Sequence, residues 1–383
     1  MDFAWSEEQL RLRDEIIRFA TAELNDDLIE RDADSEFSFD AWKRCAAFGI
    51  QGLAVPTEYG GAGVDALTVM FAMEALGYAC RDNGLIFSIN AQLWSCQLPI
   101  VRSGTEEQKR RYLPGLCDGS LIGVQCMTEP GSGSDAFALR TTASKRDGGY
   151  VLSGSKTFIT NAPIADVFVV FAATDPAGGF AGISAFLVDR HAPGVSVGRP
   201  FHKMGLRTSP MSEVAFEDCE VPESARLGPE GAGAAIFNSS MDWERSCILA
   251  SAIGAMERQV ERCIAYANER RQFGQTIGSF QGVSHRIVDM KIRLETARLL
   301  LYRLGWQKRA GKAVPLESAM TKVYLSECFV QSSMDALHIH GGSGYLTELE
   351  LEREVRDAIA SRIYSGTSEI QRNLVASHLG VKG

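Results

Sequence analysis

Tyr150-Val151-Leu152, Val167-Phe168-Val169-Val170-Phe171-Ala172 and Ile183-Ser184-Ala185-Phe186-Leu187-Val188 are three short runs rich in β-branched and aromatic residues. They are bounded by Asp147-Gly148-Gly149, Asp175-Pro176-Ala177-Gly178-Gly179 and His191-Ala192-Pro193-Gly194. Such Gly/Pro clusters interrupt regular structure. Short apolar runs between breakers predict strands, and their spacing predicts a β-barrel or sandwich over residues 121–228.

Working outward, residues 1–120 read as helices. Ser6, Glu7, Glu8 and Gln9 combine a capping hydroxyl with an acidic first turn, a helix-start pattern. Pro56, Gly60, Gly61, Gly63 and Asp82-Asn83-Gly84 mark turns. Helical periodicity returns over 229–383. Ile287, Met290, Leu294, Ala297 and Leu301 step by three and four, forming one buried stripe of a long helix. Ala250, Ser251, Ala252, Gly254 and Ala255 put small side chains along the preceding helix, which permits close packing. The expectation is an α+β chain in three parts: an N-terminal helical domain (1–120), a middle β-barrel domain (121–228) and a C-terminal four-helix bundle (229–383).

The chain has 383 residues, 45% apolar and 23% charged, with a net charge of -9. The acidic balance argues against a nucleic-acid binder, which would carry a basic patch. No apolar run reaches the ~18 residues of a membrane span. Met1-Asp2-Phe3-Ala4-Trp5-Ser6-Glu7-Glu8 is acidic and amphipathic, unlike a signal peptide. The nine cysteines are scattered without a CxxC pair. That pattern predicts reduced thiols in a cytoplasmic protein, with no disulfide framework and no metal site.

Several strings carry chemistry. Met127-Thr128-Glu129-Pro130-Gly131-Ser132-Gly133-Ser134-Asp135 is a Gly/Ser loop whose N–H groups and hydroxyls can reach a cofactor. Lys156-Thr157-Phe158-Ile159-Thr160-Asn161-Ala162 places an aromatic face in a strand. Lys203-Met204-Gly205-Leu206-Arg207 precedes Phe216-Glu217-Asp218-Cys219-Glu220-Val221-Pro222. Arg270-Arg271-Gln272-Phe273-Gly274 precedes Gln281. His340-Gly341-Gly342-Ser343-Gly344-Tyr345 precedes Arg356-Asp357, and Arg362-Ile363-Tyr364-Ser365-Gly366-Thr367-Ser368-Glu369-Ile370-Gln371-Arg372 closes the chain. Six motifs in this order, over essentially the whole length, resemble the acyl-CoA dehydrogenase family.

The resemblance implies an FAD-dependent oxidoreductase acting on CH–CH groups. It implies flavin-ring contacts at Met127, Thr128, Phe158 and Thr160. It places Gly133 and Ser134 at the pyrophosphate or the substrate thioester. Arg270, Phe273 and Gln281 would reach the FAD of a neighbouring subunit, with Arg270 on pyrophosphate, where a guanidinium fork suits phosphate oxygens. Gly341 and Gly342 would let the backbone approach the cofactor, and Thr367 and Glu369 would lie near its adenosine. His338 stands where relatives often have glutamine, so a structural histidine is as good a reading there. The family implies a homotetramer. Its members pass electrons to an acceptor such as electron-transfer flavoprotein or oxygen.

Many members carry a glutamate where this chain has Ser365, and that glutamate removes the substrate α-proton. A neutral hydroxyl cannot replace it unaided. Met241-Asp242-Trp243-Glu244-Arg245 offers the alternative, because in a minority of the family the base comes from this helix, before the same arginine. On residues alone, Glu244 reads as part of a solvated face with Asp242 and Arg245. Paired with the small residue at 365, it becomes the expected base. Asp242, Trp243, Arg245, Ser134, Ser365 and Gly366 are the expected substrate contacts, with an oxyanion-type N–H near 365 and 366.

Ser239-Ser240-Met241-Asp242-Trp243-Glu244-Arg245, Val283-Ser284-His285-Arg286-Ile287 and Tyr364-Ser365-Gly366-Thr367 resemble the prolyl- and acyl-carrier-protein dehydrogenases of natural-product pathways. Lys203-Met204-Gly205-Leu206-Arg207-Thr208-Ser209-Pro210 looks more like ordinary acyl-CoA dehydrogenases. The expected substrate is a small acyl or aminoacyl thioester on a carrier protein. Alternatives are a short or branched acyl-CoA and oxidase or monooxygenase chemistry with oxygen. Trp94 and Trp243 could floor a short acyl pocket.

Overall fold

The computed structural model describes residues 4–381. Met1, Asp2 and Phe3, which belong to the acidic start read above, lie outside the described residues. Seven helices come first: α1 (Glu7–Glu23), α2 (Leu28–Asp34), α3 (Phe39–Phe48), α4 (Ala66–Ala79), α5 (Asn83–Gln92), α6 (Leu98–Ser103) and α7 (Glu106–Asp118). The capping box at Ser6 forms: the Gln9 N–H donates to Ser6 Oγ (3.2 Å) and the Ser6 N–H to Gln9 Oε1 (3.0 Å). Leu93–Gln97 is a π-helical turn between α5 and α6.

The middle segment holds β1 (Gly123–Cys126), β2 (Thr142–Arg146), β3 (Gly149–Thr160), β4 (Val167–Ala173), β5 (Ile183–Asp189), β6 (Val195–Val197), β7 (Met211–Pro222) and β8 (Arg226–Leu227). The three runs quoted first lie in β3, β4 and β5. The eight strands form one mixed sheet ordered β6-β7-β3-β2-β4-β5-β8, with β1 joined parallel to β4. Every residue of β4 is buried, as a strand covered on both faces requires. The β3–β7 ladder slips between Lys156 and Ile159. Phe158 lies in that bulge with φ 56° and is exposed. Bulges re-aim side chains in this way.

The last part holds α8 (Gly233–Cys247), α9 (Ala250–Glu269), the β9 (Arg271–Gln272) and β10 (Gln275–Thr276) hairpin, α10 (Gln281–Arg309), α11 (Pro315–His340), α12 (Leu351–Ala360) and α13 (Ser368–His378). Met290, Leu294, Ala297 and Leu301 are all buried, as their spacing predicts, and Ile287 at the start of the stripe is half-buried. The small residues of α9 do permit close packing, and their partner is α4 of the first part. A Cβ on Gly254 would fall 2.0 Å from the Glu74 carbonyl oxygen, and one on Gly77 would fall 1.9 Å from that of Ser251. The first helices and the bundle therefore share one core.

Candidate active site

Helix α8 turns the Asp242–Arg245 segment in several directions. Asp242 faces α10 and α11: Lys308 Nζ lies 2.9 Å from its Oδ2, and Ser318 Oγ donates to its Oδ1 at 2.8 Å. Asp242 is thus a tie between helices, and its carboxylate is already engaged. Trp243 stacks on Trp94 (centroids 6.2 Å, 20°), with Lys308 Nζ 4.5 Å and the Arg102 guanidinium 5.1 Å from its ring centre. Trp94 is fully buried and donates to Asn90 Oδ1 at 2.9 Å, so it forms the floor beneath Trp243.

Glu244 points inward and is buried. Ser95 Oγ donates to its Oε2 at 2.8 Å, and Ser365 Oγ donates to its Oε1. Burial pushes the carboxyl above its ordinary value, while the hydroxyls of Ser365 and Ser95 and the charges of Arg245 and Lys322 pull it partly back. A carboxylate with raised affinity for protons is a stronger base, which is the character a weakly acidic C–H demands.

The turn carrying Ser365 is held from outside. Ser365 and Gly366 are consecutive left-handed residues, with φ 56° and 87°. Arg245 Nε donates to the Ser365 carbonyl at 3.3 Å. Gln371 Nε2 donates to the Ser365 and Gly366 carbonyls at 2.9 and 3.3 Å, and Lys322 Nζ donates to the Gly366 carbonyl at 2.7 Å. The Gly366 N–H has no acceptor among the described residues. An L side chain at 366 would be strained and would place its Cβ 2.4 Å from Gln371 Nε2. Burial, helped by the charge of Arg245, pulls the Lys322 ammonium down to about 8.

The Gly/Ser loop rests on a buried ion pair. Lys156 Nζ lies 2.8 Å from Glu129 Oε1 and donates to the Met127 carbonyl at 3.2 Å. Glu129 also accepts from the Arg140 N–H (2.6 Å), the Thr141 N–H (2.9 Å) and Thr141 Oγ1 (2.6 Å). The Thr157 N–H donates to the Thr128 carbonyl at 2.9 Å, which ties the loop to β3. Met127 has its side chain in the core, which leaves its main chain as the part able to meet a ligand. Gly131, Gly133 and Ser134 are exposed, and a Cβ at either glycine would meet nothing within 4 Å. Thr160 is half-buried near the end of β3, and Phe158 packs one side against Phe201 at 5.8 Å. An open main chain beside an uncovered aromatic ring fits a flat heterocycle with a phosphate tail.

The remaining expected cofactor residues make no hydrogen bond or ion pair with Glu244. Arg270 is exposed at the end of α9, Phe273 is 92% exposed at the hairpin tip, and Gln281 opens α10. His338 is exposed and lines a surface pocket with Gly282, Val283, Arg286 and Ile339. The histidine with a structural setting is its neighbour His340, stacked on Tyr266 with Nδ1 2.8 Å from the Ala336 carbonyl. Gly341 and Gly342 are open around their backbone. Thr367 caps α13, and Glu369 is exposed in its first turn.

Sequence reading missed Ser95, Gln371 and Lys322. Lys322 had a signal: a lysine on the same buried face of α11 as Ser318, Leu325 and Phe329. Ser95 had none, because only the π-helical turn brings it to Glu244.

A helical frame around a β-domain, with a buried carboxylate facing a left-handed turn, defines an acyl-thioester dehydrogenase class of site. Acyl-CoA dehydrogenase N-terminal, middle and C-terminal domain profiles match residues 6–120, 125–219 and 231–380. The chain belongs to the acyl-CoA dehydrogenase family. It is 44% identical to an L-prolyl-[peptidyl-carrier protein] dehydrogenase of a Serratia species, over 100% of this chain and 99% of the relative. The crystal structure of the prolyl acyl carrier protein oxidase AnaB superposes with TM-score 0.97 at 49% identity, covering 98% of this chain and 100% of AnaB. A structure of PigA with FAD and proline superposes with TM-score 0.98 at 44% identity, covering 100% of both chains.

Proposed function

We propose that this protein is an FAD-dependent dehydrogenase of a prolyl group held as a thioester on a peptidyl carrier protein. The observation that carries the reading is the buried Glu244 carboxylate meeting the Ser365 turn. The similarity to prolyl-carrier-protein enzymes over the full chain supports the substrate.

Desaturation of a thioester needs a base for the α-proton, a donor for charge developing on the thioester oxygen, and an acceptor for the β-hydride. Glu244 takes the proton onto a carboxylate whose burial has strengthened it as a base. The unpaired Gly366 N–H donates to the thioester oxygen, and the Lys322, Arg245 and Gln371 bonds keep that turn from rotating away. When bound, FAD supplies the hydride acceptor at flavin N5. Met127, Thr128, Phe158 and Thr160 would hold its ring, and Gly133 and Ser134 its pyrophosphate or the thioester. The stacked Trp94 and Trp243 adjoin Ser95 and Glu244 along the chain, and two bulky rings there favour a small acyl group. Trp243 and Arg245 would contact the acyl group, and Asp242 acts by fixing α8.

Arg270, Phe273, Gln281, His338, Gly341, Gly342, Thr367 and Glu369 would serve the cofactor across a subunit boundary in a homotetramer. An almost fully exposed Phe273 and exposed Val288, Ile292 and Leu299 on α10 support such contacts. All nine cysteines are free and buried, which suits a reducing cytoplasm. No helix among the described residues is long and apolar enough to cross a membrane.

Anaerobic flavin bleaching tests the reading, with prolyl-carrier protein, short acyl-carrier proteins, and butyryl-, isobutyryl- and isovaleryl-CoA as the panel. Prolyl-carrier protein should bleach the flavin, and Glu244→Gln should keep FAD but lose bleaching. Bleaching by a CoA ester and not by the prolyl carrier would transfer the assignment to a short- or branched-chain acyl-CoA dehydrogenase. The description of AnaB as an oxidase favours a second arm, reoxidation of the reduced flavin in air. Fast reoxidation would make oxygen the acceptor in place of an electron-transfer flavoprotein.

A further inference from the structure

We infer that Ser95 and Ser365 are positioning residues that clamp Glu244, one hydroxyl on each carboxylate oxygen, and set the direction in which the base faces its substrate. The inference rests on Glu244 being the base proposed above.

Two independent elements deliver the hydroxyls. Ser365 comes from the left-handed turn, whose carbonyls are held by Arg245, Gln371 and Lys322. Ser95 comes from the π-helical turn, where the Leu98 N–H reaches back to the Leu93 carbonyl. A π-turn shifts every later side chain around the axis relative to a continuous α-helix, and such turns occur at functional sites. Here it leaves Ser95 inside, under Glu244 Oε2 at 2.8 Å. The Ser95 main chain is also tied to α8: Gln125 Nε2 donates to the Ser95 carbonyl (3.4 Å) and to Ser240 Oγ (3.2 Å), one helical turn before Glu244.

The chemistry of the donors matters. Two cations stand close, yet Arg245 and Lys322 direct their hydrogen bonds to the Ser365 and Gly366 carbonyls, and Glu244 forms no ion pair among the described residues. A direct ion pair would hold the carboxyl acidic and make it a poor base. Neutral hydroxyls orient the group more gently. Each fills one lone-pair site, and an ionised carboxylate offers about four, so room remains for the arriving proton. Both contacts also favour the ionised form against burial.

The test follows bleaching by prolyl-carrier protein across pH in holoenzymes carrying Ser95→Ala, Ser365→Ala or Ser365→Gly. Losing one hydroxyl donor should move the acid limb of the rate profile up by about one pH unit, so the rate falls about tenfold below the limb and recovers at alkaline pH. The two Ser365 variants should behave alike, although only glycine relieves the left-handed backbone, which separates the hydroxyl from the turn. Infrared titration of the Glu244 carboxyl in the substrate-free holoenzymes, taken as a difference against Glu244→Gln, should show the same displacement. If wild-type enzyme fails to bleach with the prolyl carrier while the infrared titration still moves in Ser95→Ala, the clamp stands and the substrate reading falls. If neither the limb nor the infrared titration moves in the Ser95 and Ser365 variants, or the rate falls equally at every pH, the clamp is wrong.

Discussion

Replacing Glu129 with glutamine should destabilise the protein far more than replacing Lys156 with methionine, although the two share one ion pair. Both side chains are buried, with Lys156 0% and Glu129 5% exposed. In Glu129→Gln the Lys156 ammonium loses its counter-charge. The amide nitrogen is also forced either towards the Arg140 N–H, which sits 2.6 Å from Oε2, or towards the donors at Oε1. An uncompensated buried charge costs about 3–5 kcal/mol. In Lys156→Met the carboxylate keeps three donors, from Arg140 and Thr141, so the expected cost is about 1–3 kcal/mol. The pH dependence separates the two further. Burial already lowers the Lys156 affinity for its proton, and removing Glu129 lowers it more. The unfolded state then binds more protons than the folded one, so Glu129→Gln should regain stability as pH rises, approaching the ordinary lysine range. In wild type, burial pushes the Glu129 carboxyl up, but the Lys156 charge and the donated hydrogen bonds outweigh it and hold it low. The stability from Glu129 is therefore present above the ordinary carboxylate range and lost in acid. Urea midpoints at fixed protein and FAD concentration, from about pH 3 to about pH 9, measure both effects. A Glu129→Gln protein within about 0.5 kcal/mol of wild type, or with a penalty flat across pH, would refute the reasoning.

Three further outcomes follow from close contacts and burial. Gly366→Ala should displace Gln371 and strain the left-handed turn, costing about 1–3 kcal/mol and lowering the bleaching rate while FAD is retained; absorbance and denaturation measure the two halves. Gly254→Ala should push α9 from α4, because its Cβ would meet backbone at 2.0 Å, and should lower the urea midpoint by an overpacking cost of about 1–3 kcal/mol. Glu244→Gln should become more stable relative to wild type as pH rises above the ordinary carboxylate range. The raised Glu244 carboxyl means that ionising it in the folded state costs stability, which is fully present only at low pH. A stability difference that does not change with pH would contradict that sign.

The sequence carried much of this arrangement in local form. The strands at Tyr150, Val167 and Ile183, the Ser6 cap and the Met290–Leu301 stripe follow from short apolar runs between breakers, capping and helical period, which act over a few residues. Glu244 and Ser365 were readable as a pair because the loss of a carboxylate in one motif matched its gain in another. The part played by Asp242 was not readable. An acidic residue two positions from the expected base reads as a substrate contact, and nothing local signals that Lys308 and Ser318 engage its carboxylate. The parallel joins of β1 and β2 to β4 were equally silent, since strand alternation says nothing about which distant strand is the neighbour.

The sequence by itself determined the element types and the order of helical, β and helical segments, while Glu244 entered as the expected base through the family resemblance of its motif. Element types and order depend on side-chain period, turn chemistry and residue type. Tertiary structure alone decided that α4 lies against the small face of α9, and that a π-helical turn brings Ser95 beneath Glu244. It also decided that two nearby cations bind carbonyls, so that among the described residues Glu244 forms no ion pair and accepts from two hydroxyls. Those outcomes join residues far apart along the chain, and they are set by how closely backbones can approach once the core is packed.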